Sequence, residues 1–154
     1  MELSLAEAVF QGFPETVAVW LLAFALLGIP WRAGPVLLFA ALSLGTVAFI
    51  RSLDAPFGLH TLVLTAVLAA APVIVYRVQA HRAVITALVV STALAVCEII
   101  GSGVSLAVLG ATPEDMAASE VISIVTGLPQ VLMLLFLAVL VRTRGEKLRR
   151  RLGL

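Results

Sequence analysis

One carboxylate interrupts a long apolar run: Glu98, in the stretch 93–103 that reads ALAVCEIIGSG. A carboxyl group set among aliphatic side chains can bond to another helix, hold a proton or cation, or take a donor from a ligand. Gln130, in the GLPQ segment at 127–130, is its natural counterpart, because a carboxamide both donates and accepts. Counted from the ends of their apolar segments, Glu98 and Gln130 fall at similar depths, so Glu98 is expected to face inward and bond to Gln130. Two roles stay open for the pair. One is a single interhelical or dimer-interface bond, worth about 0.6 kcal/mol on average in a membrane. The other is a ligand, proton or cation site, the role that intramembrane ionisable groups commonly mark.

His60, followed by Thr61, is a candidate for an outward-facing recognition surface together with Glu15. His81 sits in the basic stretch YRVQAHR. The two histidines are expected on opposite sides of the membrane, and neither has a Cys, His or carboxylate at ligand spacing, so no metal or other cofactor is expected. Cys97 is the only cysteine, which leaves no disulfide and no thiol pair, and within its apolar run it reads as a small hydrophobe. There are no paired carboxylates within one span, no nucleophile elbow, no phosphate-cradling glycine loop and no zinc helix motif. The expected protein is not an enzyme.

The elements that must position these residues follow from composition. Of 154 residues 62% are hydrophobic and 12% charged, with a mean hydropathy of +1.15, whereas soluble domains are roughly half apolar. The chain reads as an integral membrane protein of one all-α domain, 1–154. A span needs roughly 20 apolar residues, and charges with Pro/Gly clusters divide the chain into five, at about 13–29, 36–50, 57–76, 83–109 and 119–141. Pro14, beside Glu15, is expected to mark where an interfacial piece around 3–10 turns into the first span. The acidic start MELSLAEAVFQGFPETVAVW is unlike a cleaved signal, so the first span is expected to be retained.

Charge sets the orientation. With the N-terminus outside, the inner connections hold Arg32, then Arg77 and Arg82, then the tail RTRGEKLRRRLGL with six of the ten basic residues. The outer ones hold Glu2 and Glu7, Arg51 with Asp54, and Glu114 with Asp115. That distribution predicts an N-out, C-in protein of the inner (plasma) membrane. In the cytoplasmic tail, 142–154, the side chains of Arg142, Arg144, Lys147, Arg149, Arg150 and Arg151 are suited to an anionic lipid surface, each contributing about 1 kcal/mol. No nucleic-acid partner is expected. Gly101, Ser102, Gly103 and Ser105 would admit another backbone closely, or equally open a small cavity or flex the helix, and Pro72 and Pro129 each remove a donor and are expected to bend their helices.

Taken together, DAPFGLHTLVLTAVL opening a middle span, EIIGSGVSLAVLG in the next, an acidic outer loop, and VTGLPQVLMLLFLAVLVR leading into a basic tail resemble the N-terminal membrane region of Gram-positive sensor histidine kinases of the accessory-gene-regulator and sporulation type. The resemblance implies a bundle that takes in an external cue, often a peptide, and moves its last helix. No phosphoacceptor-histidine helix or ATP-binding segment lies in 1–154, so kinase activity does not carry over. What it implies is a sensor-like module, a homodimer, that works through a separate cytoplasmic signalling partner. The competing expectation is a small oligomeric transporter or channel subunit in which Glu98 carries a proton or cation; against it, no internal repeat is visible. A third is an assembly factor in which Glu98 only joins helices.

Overall fold

The computed structural model describes residues 8–52, 59–110 and 119–152, and every regular element among them is helical. A π-helical turn, Ala8–Gly12, runs directly into α1, Phe13–Leu27; α2 is Ala33–Ser52, α3 Leu59–Tyr76, α4 Ala80–Leu109 and α5 Glu120–Leu152. Five helices are long and apolar enough to cross a membrane, the first beginning at Val9. This is the architecture of a multi-pass membrane protein.

α4 begins at Ala80 rather than near 83, and three other departures from the sequence reading have a local reason. No break separates an interfacial piece from the first span: Pro14 sits in the first turn of α1, where a missing amide leaves no helical bond unmade. Residues 1–7 lie outside the described part. The second helix starts at Ala33 rather than near 36, since Pro35 likewise falls in a first turn. The basic tail is not a separate segment, because α5 continues through it to Leu152.

α1 lies at the centre of the bundle, packed against α2, α4 and α5, while α3 packs on α2 and α4. Its side chains from Ala18 to Ala25 are apolar on every face, and Ala18, Trp20, Ala23 and Phe24 are completely buried. A helix apolar all round is the one that can be buried all round. Trp20 stacks on Phe39 of α2 at 4.8 Å, and Phe24 meets Tyr76 of α3 edge-on at 5.6 Å. The indole N–H of Trp20 donates to the Ser43 hydroxyl at 2.9 Å, so this buried donor is satisfied.

Short connections enforce an up-and-down order. Gly28 ends α1 in the left-handed region (φ 73°), and the Ile29 amide donates back to the Phe24 carbonyl at 2.9 Å, closing the helix end. Arg77 ends α3 in the same region at φ 53°, without glycine's freedom, and the Val78 amide donates to the Pro72 carbonyl. Only Arg77, Val78 and Gln79 then separate α3 from α4. One end of the bundle therefore holds Ala8, Ser52, Leu59 and Leu109, here the head end. The tail end holds Leu27, Ala33, Tyr76, Ala80 and Arg142. α3 and α5 remain helical through Pro72 and Pro129.

Candidate functional site

Four buried polar residues, Thr16, Ser105, Thr126 and Gln130, lie in the head half of the bundle, where α5 crosses α4 and the π turn, while Ser43 and Thr86 lie elsewhere in the interior. Gln130 is only 4% exposed. It sits against Gly101 of α4, where an added methyl would stand 3.0 Å from the Gln130 backbone nitrogen. One turn nearer the head end, the Ser105 hydroxyl donates to the Thr126 carbonyl at 3.3 Å. That bond falls in the turn just before Pro129, which lacks the amide that would serve the Val125 carbonyl. On the other side of α5, a side chain at Gly127 would run into the Gln11 amide. Gln11 belongs to the π turn, a wider coil that often accompanies functional sites. Below it the Thr16 hydroxyl donates to the Gly12 and Phe13 carbonyls at 3.1 and 2.9 Å.

The site thus contains two carboxamides, Gln11 and Gln130, with Ser105, Thr126 and Thr16 near them and two glycines admitting close approach. Among the described residues the Gln130 side chain makes no hydrogen bond. Its carboxamide stands at the α4–α5 crossing, able to take a partner there. Two donors and one acceptor suit it to a peptide-like amide.

Glu98 is not its partner. Glu98 is exposed on the outside of the bundle, and no bond joins it to Gln130. Gln130 lies level with Gly101, so Glu98 is also about one turn away in depth. The reason is helical periodicity. Ala83, Ala87, Val90, Leu94, Cys97, Gly101 and Ser105 recur every three or four residues and all are buried, so residue 98, about 100° round from Cys97, falls off that stripe. Cys97 is in the core at 2% exposure, as a small hydrophobe would be.

Glu15 and His60 are both half-buried near the head end, and each is already engaged with a partner. His81 lies in the first turn of α4 at the tail end, about 27 Å of helix from the start of α3. No cluster of three or more His, Cys, Asp or Glu occurs among the described residues. Of the small residues, Gly101 and Ser105 make the α4–α5 contact, Ser102 is half-buried, and Gly103 is exposed with open space around it.

At the tail end Arg142 is held in place. Its guanidinium donates to the Ile29 carbonyl at 3.1 Å, beside the C-terminus of α1, and lies over the Trp31 ring, 5.5 Å from the centroid. A cation there complements the helix dipole and the indole face together. The Trp31 N–H donates to the Leu21 carbonyl at 3.0 Å. Arg144 is exposed; Lys147, Arg149, Arg150 and Arg151 continue α5, their side chains lying outside the described part. Gln11, the Ser105 bond and the Trp31–Arg142 contact escaped sequence reading, since each joins residues far apart in the chain.

The fold and site define a multi-pass helical membrane bundle with a polar head-half interior. No protein-family model matches the chain, and neither curated proteins nor solved structures provide a match.

Proposed function

We infer that this protein is a non-enzymatic membrane sensor or regulatory module, recognising an external or membrane-borne cue at the Gln130 region and relaying it along α5 to a cytoplasmic partner. The carrying observation is α5 itself: one helix from Glu120 to Leu152, bearing Gln130 in the head half and the basic residues at its far end. At 1.5 Å per residue its 33 residues extend about 50 Å, well beyond a 30 Å hydrocarbon core. A shift at the Gly101–Gln130 crossing would therefore displace the tail as a rigid rod. In this reading the head end faces outward and the tail end faces the cytoplasm across the plasma membrane, in line with the basic excess at the tail end. The resemblance to sensor-kinase membrane regions supports the same assignment. Transport is the weaker reading, since Glu98 stands outside the bundle rather than along a path through it.

The test uses a nitroxide on Thr143→Cys in a Cys97→Ala background, reconstituted in lipid. Replacing Gln130 by Ala should change the label's mobility or its depth in the membrane. The same vesicles, loaded with a pH dye and given a potassium gradient, should leak no faster than protein-free ones. An unmoved label together with proton or cation flux that Glu98→Gln abolishes would overturn the assignment in favour of transport.

A further inference from the structure

The outward Glu98 raises a separate question, since lipid tails offer a carboxyl group nothing to bond with. The Thr65–Ser91 bond, at 2.7 Å, sets the antiparallel register of α3 on α4 and puts Leu59, the first residue of α3, about level with Cys97. From Glu98 onward α4 rises past the start of α3. On this stretch Glu98, Ile99 and Gly103 are exposed and Ser102 is half-buried. Glu98 and Ser102 stand one turn apart on one face, and a methyl on Gly103 would have nothing within 4 Å. Glu98 makes no hydrogen bond among the described residues. Hydroxyls on other outward faces, Thr46 and Thr92, are bonded within their own helices. Glu98, a carboxyl group on a helix long and apolar enough to cross a membrane, is the outward group here with most to gain from a protein partner.

We propose that this face of α4 pairs with the same face of a second copy of the chain, each Glu98 carboxyl accepting a hydrogen bond from the Ser102 hydroxyl of the other copy. The chemistry selects the occupant. Two copies share one orientation in the membrane, so a two-fold axis along its normal sets α4 beside itself at equal depth. An acceptor and a donor one turn apart on that face then bond reciprocally, and the surface is complementary to itself. Gly103 lets the two backbones approach at the same level, as small residues do in paired membrane helices. The pairing does not depend on the sensor reading, and its failure leaves that reading standing.

Disulfide trapping in lipid vesicles tests it, in the Cys97→Ala background with a copper–phenanthroline oxidant. Ile99→Cys and Gly103→Cys should each give covalent dimer at least tenfold above Phe49→Cys and Leu132→Cys, which are exposed on α2 and α5. Adding Glu98→Leu to Ile99→Cys should cut the yield at least fivefold. Glu98→Gln should preserve it, because a carboxamide oxygen still accepts from Ser102. Circular dichroism should be unchanged in both, as Glu98 lies outside the packed interior. Equal trapping at the control positions, a full yield with Glu98→Leu, or a single-step photobleaching monomer in lipid would each overturn the pairing.

Discussion

Among the described glycines, Gly101 is the one where an added Cβ would meet a neighbouring backbone. An added methyl would press on the backbone of Gln130, which cannot swing aside as a side-chain tip can. Gly101→Val should therefore cost about 1–3 kcal/mol, the usual range for overpacking, whereas Gly103→Val should leave fold stability within about 0.5 kcal/mol. Reversible unfolding in mixed micelles would measure both. Thr86 offers the opposite sign. It is 1% exposed and its hydroxyl has no partner, whereas Thr16, Thr46, Thr65, Thr92 and Thr143 all donate to the carbonyl four residues back. Thr86→Val keeps the shape and removes an unbonded oxygen, so a gain of about 1 kcal/mol is expected in the same assay. A loss instead would show that the hydroxyl holds a buried water.

The helices themselves carry two further expectations. Arg77 closes α3 with a left-handed backbone that costs an L-residue carrying a Cβ about 1 kcal/mol. Arg77→Gly should stabilise the bundle by that amount, with the melting midpoint as readout. At the other side of the tail end, Arg142 links α5 to the end of α1 through Ile29 and Trp31. Arg142→Ala should speed backbone hydrogen exchange around 138–146 while leaving the head-half turn 125–130 unchanged. Uniform acceleration along α5 would mean that Arg142 supports the whole helix rather than its exit.

The molecule as a whole is predicted to have one orientation. A membrane-impermeant maleimide should label Gly110→Cys in intact cells and Arg144→Cys only after permeabilisation, both in the Cys97→Ala background. The reverse pattern would invert the bundle and move the basic tail outside.

Length, composition and the spacing of charged and turn-forming residues determined the all-helical class and the five long apolar helices. That information is local: a run of some 20 apolar residues must satisfy its own backbone wherever it lies in lipid. The buried face of α4 was only half legible: Gly101 and Ser105 marked a face open to another helix, but Glu98 was expected to point inward and lies outside. Tertiary structure alone decided which residues meet. Gln130 against Gly101, Gln11 against Gly127 and Arg142 over Trp31 depend on how five helices rotate and slide against one another. Apolar side chains surround these helices on every face, so no strong amphipathic pattern sets that rotation in advance. It is settled by close packing at a few small residues, and that packing turned Gln130 inward and Glu98 out.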